Sequence, residues 1–291
     1  MRKIEIIEQI KNHHYHEWLG KEINEETTRD QILFGDIDEE CTGIITAIYA
    51  SVDVIKHAIE KNVNLIIVHE SLFWNHGDHT DWLLGNKTYQ IKKKMMEDNH
   101  ITVWRNHDYL HAGIDYKGRR VDGIFYGLLE LLGWENYVHG NIGFPLILNI
   151  PKIKTEDLIN EMMYKLNLNG IKCFGNINGY TEKIYLPMHI TGNDNDKITV
   201  VDQENIDTII SMECIDYTLG IYVKDAAMLN IEKCIIAIGH FNLEEPGMKW
   251  YAEKFLPAGQ PGAASGDSGK SGDSAVSFHR RAFFYLDRGS L

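Results

Sequence analysis

The stretch that decides the fold is "TGIITAIYASVDVIKHAIEKNVNLIIVHE", Thr42–Glu70. Its first part, "TGIITAIYA", is rich in β-branched residues and predicts a strand. Val52, Ile55 and Ile59 then recur at helical spacing. The run "VNLIIVH" that follows is short and apolar, which is typical of a strand buried in a parallel sheet. Strand, helix and strand in this order predict an α/β fold, with mixed or parallel sheets covered by helices.

The same alternation continues along the chain. A basic helix, "KTYQIKKKMMEDN", precedes the strand "ITVWRNH", and the segments "KIYLPMHI" and "KITVVD" are predicted as later strands. We predict an N-terminal α/β lobe over residues 1–135 and a C-terminal α/β lobe over 136–256. Residues 257–291 are rich in Gly and Ser and form an atypical tail, either a natural one or a frameshift or cloning artefact. No function is assigned to this tail.

Composition excludes some classes of partner. The chain has 291 residues and a formal net charge of -13, which argues against a nucleic acid or an anionic membrane as the main partner. None of its four Cys lies in a C-x-x-C pair, so a zinc ribbon is not expected. The N-terminus has no apolar signal core, and we expect a cytoplasmic protein with reduced thiols.

Three apolar strand candidates end in residues that bind metals. Ligands of open α/β sheets bind outside the carboxyl ends of the strands, where loops vary without disturbing the core. Three such ends therefore predict one convergent site. The strands "LIIV", "ITVWRN" and "CIIAIG" are followed by these residues: His69 and Glu70; His107, Asp108 and His111; His240 and Glu244.

Each of these signals can also arise in a protein that has no metal site. A single His at a strand end is often only hydrogen-bonded, and spacings such as H-x-x-x-H arise by chance in a chain with 14 His. The loop "NHGDHTDW", which contains His76, either lies in solvent or lines the site. The repetition at three strand ends favours a metal site. Imidazoles and carboxylates without thiolates suit Zn, Mn, Fe or Co, and two carboxylates can bridge two divalent ions that hold a hydrolytic water.

The segments "AIEKNVNLIIVHESLFW", "NHDYLHAGI" and "IIAIGHFNLEEPGMKWYAEKF" resemble the Nif-three-like dinuclear metal-centre family. Members of this family are often named GTP cyclohydrolase I type 2 homologues. The resemblance runs from about Trp18 to Leu256 and is to the short form, without an inserted middle domain. It implies two α/β lobes with a metal cleft between them and a homo-oligomer, commonly a ring-like hexamer.

The resemblance also implies a ligand set, from which this sequence departs twice. The second His of the family's His pair falls on Glu70, and the Asp of its H-x-x-x-D segment falls on His111. The exchange is reciprocal, so the inventory of three His and two carboxylates is unchanged. As an alternative, Asp108 supplies the missing carboxylate. The implied ligands of two divalent metal ions are His69, Glu70, His111, His240 and Glu244.

These residues predict a metal-dependent hydrolase of a small phosphorylated or nucleotide-like substrate. Uncoordinated groups, His107 and His76, would transfer protons. A second hypothesis is a non-catalytic metal-binding or regulatory partner protein, which a His-rich, acidic chain also fits. Nucleic-acid binding is disfavoured by the negative charge.

Overall fold

The computed structural model describes residues 1–255 and 282–284. The predicted tail, residues 257–291, lies outside the described residues except for residues 282–284. The helices are α1 Lys3–His13, α2 Val52–Glu60, α3 Lys87–Asp98, α4 Asp108–Ala112, α5 Gly123–Leu132, α6 Thr155–Lys165, α7 Asn195–Gln203, α8 Leu219–Met228 and α9 His240–Phe255. The strands are β1 Glu17–Trp18, β2 Lys21–Glu22, β3 Ile32–Phe34, β4 Ile44–Ala47, β5 Leu65–Val68, β6 Thr102–Arg105, β7 Ile114–Tyr116, β8 Arg119–Val121, β9 Leu146–Lys154, β10 Lys172–Gly175, β11 Tyr180–Ile190, β12 Thr208–Cys214, β13 Cys234–Ala237 and β14 Ala282–Phe284. Across the part of the chain that is described, we find no helix with the length and apolar character needed to cross a membrane.

The chain divides into two compact units. The first comprises Met1–Ile114 and the described residues from Met248 onward, and the second comprises Asp115–Gly247. The domain boundaries predicted from the sequence, after residues 135 and 256, stay predictions. Each unit contains one five-stranded sheet, so the two can be described separately.

The sheet of the first unit has the strand order β14-β4-β5-β6-β3. Its first four strands are parallel, and β3 pairs antiparallel with β6. Every residue of β4, β5 and β6 is buried, because helices cover a parallel sheet on its faces. Helix α2 begins at the N-cap Ser51, whose side chain accepts a hydrogen bond from the Val54 N–H. The strand–helix–strand prediction for Thr42–Glu70 is thus confirmed.

The sheet of the second unit has the order β10-β13-β12-β11-β9. Strands β11, β12 and β13 are parallel, and antiparallel strands flank them on both sides. The prediction of a strand at "KITVVD" was wrong, because this segment lies in α7. Its β-branched residues suggested a strand, but helical spacing brings Val201 into the apolar core, with Ile198 packed against it.

Two glycines bring helices of the second unit into close contact. A Cβ added at Gly127 in α5 would lie 2.5 Å from the Cα of Gly247 in α9, and one added at Gly247 would lie 2.3 Å from the Cα of Ile124. Only glycine allows two helix backbones to approach this closely. The contact holds the middle of α9 against α5.

Candidate metal centre

The first unit places histidines at the carboxyl ends of β5 and β6. His69 follows directly after β5, and the Glu70 N–H donates to the Ile48 carbonyl over 2.9 Å. The Asn106 N–H, just after β6, donates to the Val68 carbonyl over 2.8 Å. The hydrogen bonding between these parallel strands thus continues past their ends. The backbone carrying His69 and His107 is therefore fixed by the sheet itself.

Three imidazoles converge at this edge of the sheet. The ring centroids of His69 and His107 are 4.5 Å apart with an interplanar angle of 10°, and that of His111 lies 4.9 Å from His69 and 4.8 Å from His107. Each ring offers a nitrogen within 4.8 Å of the others. His107 and His111 lie on one helical turn, because the His111 N–H donates to the His107 carbonyl over 3.0 Å.

Hydrogen bonds to His69 and His107 determine which ring nitrogen carries the lone pair. His69 Nδ1 donates to the Asn106 carbonyl over 3.1 Å, which puts the lone pair on Nε2. His107 Nε2 accepts from Arg29 Nη1 over 3.2 Å, so its Nδ1 donates to Asp108 Oδ1 over 2.9 Å. Burial, with the nearby His69 as a further cause, lowers the pKa of His107 to about 3. The His107 ring is therefore neutral at pH 7, the form that binds metals.

Asp108 orients His107. Its Oδ2 accepts from the Thr28 hydroxyl over 2.9 Å and from the Arg29 N–H over 3.0 Å, while Oδ1 accepts from His107. Burial opposes ionisation of Asp108, but the hydrogen bonds from His107 and Arg29 outweigh it and lower the pKa of the carboxyl. A carboxylate with three donors acts as an orienting group behind a histidine. This pattern supports His111, rather than Asp108, as the member of the converging group.

Asp30 holds the start of α4 in place. Its carboxylate accepts the N–H groups of His107 over 2.6 Å and of Asp108 over 2.8 Å. A third hydrogen bond, from the Thr28 hydroxyl, is 2.8 Å long. Burial raises the pKa of Asp30 despite these bonds. The segment before β3 thus supplies the N-terminal cap of the helix that carries His111.

The indole ring of Trp18 packs against two of these histidines. Trp18 in β1 stacks on His111, with ring centroids 5.2 Å apart and an interplanar angle of 11°, and meets His107 edge-on at 5.9 Å. Of the other predicted residues of this unit, Glu70 is buried directly after β5, whereas His76 is exposed in the loop that follows. Among the described residues, His76 belongs to no group of converging ligand atoms.

The second unit repeats the arrangement at the carboxyl ends of β11, β12 and β13. His189 lies near the end of β11, Glu213 near the end of β12, and His240 begins α9 after β13. Gly239 has a φ of 93°, which favours glycine and turns the chain from β13 into α9. The three side chains offer ligand atoms within 4.8 Å of one another.

Glu213 lies between the two histidines. Its Oε2 is 2.7 Å from His189 Nδ1, and its Oε1 is 2.6 Å from His240 Nδ1. Burial raises the pKa of Glu213, but the two imidazole hydrogen bonds outweigh burial and lower it to about 2. On the other side of the His240 ring, Nε2 lies 3.2 Å from Glu244 Oε1. His240 and Glu244, four residues apart, thus face each other on the first turn of α9.

His189 and Glu213 were missed by the sequence reasoning. Both lie near the ends of strands, so the rule that selected His69, His107 and His240 applies to them. His189 lies one residue before the end of "KIYLPMHI", and Glu213 ends "DTIISME", but both runs contain other polar residues and lack the uniform apolar character of "LIIV". The signal was present but weaker.

The donor set fits a divalent transition metal. Neutral, buried imidazoles with carboxylates behind them are the ligands that Zn²⁺, Fe²⁺, Mn²⁺ and Co²⁺ bind in proteins. In the first unit, His69, His107 and His111 are 0%, 6% and 3% exposed, so a bound ion would be shielded from water. His69, His107 and His111 of the first unit, and His189, Glu213 and His240 of the second, form groups that could hold a metal ion.

The sequence profile of the family described as DUF34/NIF3 (NGG1p interacting factor 3) matches residues 8–259. The chain belongs to this family. Its relatives include proteins named GTP cyclohydrolase 1 type 2 homolog. The one from Clostridium acetobutylicum is 25% identical over 234 residues, which cover 77% of this chain and 80% of that protein. The one from Clostridium perfringens is 25% identical over 233 residues, covering 77% and 81%.

Solved structures of the family share the fold. A Bacillus cereus protein related to NIF3 superposes with a TM-score of 0.63 at 13% identity and covers 87% of this chain and 92% of its own. The Staphylococcus aureus protein SA1388 superposes with a TM-score of 0.60 at 17% identity, covering 87% and 93%. The family resemblance and the α/β class with mixed and parallel sheets are therefore confirmed. The predicted metal cleft stays a prediction.

Proposed function

We propose that this DUF34/NIF3 protein binds two divalent metal ions and uses them to hydrolyse a small phosphorylated or nucleotide-like substrate. The observation that carries the proposal is the convergence of His69, His107 and His111, buried and fixed by hydrogen bonds, at the carboxyl ends of parallel strands. Ligands of open α/β sheets bind at this edge. The names of the relatives, GTP cyclohydrolase 1 type 2 homolog, are consistent with a nucleotide-like substrate.

The proposed ligands are the five residues of the predicted set, and the proposed ions are Zn, Mn, Fe or Co. In this set Glu70 provides the carboxylate that the family has at position 111, and His111 provides the imidazole that the family has at position 70. The position of His111 supports the exchange, because its ring lies in contact with those of His69 and His107. The set is His69, Glu70, His111, His240 and Glu244.

When bound, the metal ions would supply an acidified water and polarise the scissile bond. The protein's own residues would hold the site dry and move protons. Asp108 fixes His107 Nδ1–H, so His107 would exchange a proton at Nε2, the nitrogen that accepts the hydrogen bond from Arg29. His76 is exposed in the loop after β5, where it would pass the proton to solvent.

The test is metal content by elemental mass spectrometry on untagged protein prepared without chelators. We expect about two transition-metal equivalents per chain, and a loss in both His111→Ala and Glu70→Ala. His139→Ala is the matched control, because His139 is exposed and belongs to no converging group of described residues. An empty wild-type protein, or full content in both variants, would overturn the proposal.

Catalysis is tested on the metal-loaded protein with nucleoside triphosphates, nucleoside monophosphates and p-nitrophenyl phosphate. We expect metal-dependent release of phosphate or of an altered base that is lost in His111→Ala. Full metal content without turnover of any substrate class would favour the alternative function, a non-catalytic metal-binding or regulatory partner. Native mass spectrometry tests the proposed homo-oligomer, for which the resemblance implies a hexamer.

A further inference from the structure

The carboxylate of Glu213 has an imidazole on each of its oxygens. His189 Nδ1 lies 2.7 Å from Oε2, and His240 Nδ1 lies 2.6 Å from Oε1. The three residues come from the carboxyl ends of three adjacent parallel strands, β11, β12 and β13. We propose that Glu213 and His189 are positioning residues that hold His240 ready to bind metal through Nε2. The inference rests on the proposed function, in which His240 and Glu244 are ligands.

Interatomic distances separate hydrogen bonds from ligand pairs in this group. Two ligands bound to one ion at about 2.1 Å, at tetrahedral or octahedral angles, lie about 3.0–3.4 Å apart. The two Glu213 contacts, 2.6 and 2.7 Å, are shorter than this and match charge-assisted hydrogen bonds. The separation of His240 Nε2 and Glu244 Oε1, 3.2 Å, falls within the range for two ligands of one ion.

The hydrogen bond to Glu213 also determines the tautomer of His240. A carboxylate only accepts, so Nδ1 carries a proton, and in the neutral ring that binds metal the lone pair is then on Nε2. Metal-binding histidines commonly donate the second ring nitrogen to a carboxylate, which fixes the ring and makes the ligand more basic. Glu213 and His240 have this relationship, and Nε2 then faces the carboxylate of Glu244.

His189 contributes by holding the other oxygen of Glu213. A glutamate has three side-chain torsions, and a single contact leaves the carboxylate free to rotate. With His189 on Oε2, the plane of the carboxylate is fixed, and Oε1 stays directed at His240. The ring centroids of His189 and His240 are 5.3 Å apart, so the pair encloses the carboxylate. His189 therefore acts on the metal-binding nitrogen only through Glu213.

The experiment compares wild type, Glu213→Gln and His189→Asn by competition for Zn²⁺ with a chromogenic chelator. We expect Glu213→Gln to weaken the affinity about 10- to 100-fold, and His189→Asn to weaken it less. The double variant should lose no more than Glu213→Gln alone, because His189 acts through Glu213. His100→Asn is the control: it removes an exposed imidazole that lies 2.9 Å from a single carboxylate, Glu39.

A second readout does not require metal. In the metal-free protein, at a pH where the ring is neutral, ¹⁵N NMR of labelled His should show His240 protonated at Nδ1 in wild type and a mixture of tautomers in Glu213→Gln. Unchanged affinity and tautomer in Glu213→Gln would overturn the inference, as would a loss in His189→Asn equal to that in His240→Ala, which would make His189 a ligand. If wild type binds no metal but shows the expected tautomers, the proposed function fails, whereas the control of the His240 tautomer by Glu213 stands.

Discussion

Replacing Asp30 tests how the first group of histidines is held. Asp30 is buried, and its carboxylate accepts the N–H groups of His107 and Asp108 and the hydroxyl of Thr28, over 2.6, 2.8 and 2.8 Å. Asp30→Ala leaves the two N–H groups without this acceptor, whereas the Thr28 hydroxyl keeps the Asp108 carboxylate at 2.9 Å. A hydrogen bond contributes about 1 kcal/mol, and a buried donor left unsatisfied costs about 1–3 kcal/mol. Burial disfavours the charged form of Asp30 and raises its pKa. This cost offsets part of the stabilisation that the hydrogen bonds provide.

The net loss in free energy of unfolding should therefore be about 2–4 kcal/mol for Asp30→Ala. Asp30→Asn keeps one acceptor oxygen and removes the buried charge, so about 1 kcal/mol is expected. Equilibrium urea unfolding followed by far-UV circular dichroism measures both values. Metal affinity should fall in the same order, because α4 carries His111. A loss below about 0.5 kcal/mol in Asp30→Ala, or equal losses in the two variants, would refute the capping argument.

Three further predictions concern the folded units. Burial lowers the pKa of His14 to about 4, so the unfolded chain binds this proton more tightly than the folded chain. His14 should therefore reduce stability by roughly 3 kcal/mol as pH drops from about 6.5 to 4, and His14→Gln should remove this part of the pH dependence in urea titrations. Gly127→Ala should lower the free energy of unfolding by about 1–3 kcal/mol or more through overpacking, which a lower thermal midpoint would show. Gly170→Ala should leave the midpoint unchanged, because a Cβ at Gly170 meets open space. Lys3 is fully buried and Nζ contacts four acceptors, so Lys3→Met should cost about 1–3 kcal/mol in urea unfolding through the acceptors left unsatisfied.

The strand ends were predictable because their signal is local. The run "LIIV" is apolar on both faces, so it can only be a buried strand or part of a buried helix, and its length favours the strand. The first polar residues after such a run lie at the sheet edge, which is why His69 and Glu70 could be singled out. The same reasoning led to His107, and the structure places its ring against that of His69.

The partners that orient these rings could not be predicted from sequence. Thr28, Arg29 and Asp30 lie in a polar segment with no periodicity, and they reach His107 and Asp108 across nearly eighty residues of chain. These contacts depend on the strand with which β3 pairs, and local sequence patterns do not determine that pairing. The ligand candidates follow from strand ends, whereas their hydrogen-bond partners follow from topology.

The two units apply the same arrangement to different sequences. Two parallel strands of the first unit, β5 and β6, and three of the second, β11 to β13, carry His or acidic side chains at their ends. In both units a carboxylate accepts the Nδ1–H of a histidine: Asp108 for His107, and Glu213 for His240. In the first unit the carboxylate is adjacent in sequence to its histidine, whereas in the second it comes from a neighbouring strand. The common element is the sheet edge, where side chains can change without disturbing buried strands. The proposed reciprocal change at Glu70 and His111 would be accommodated at this edge for the same reason: the fold fixes the positions, and the chemistry of the group depends on which donors occupy them.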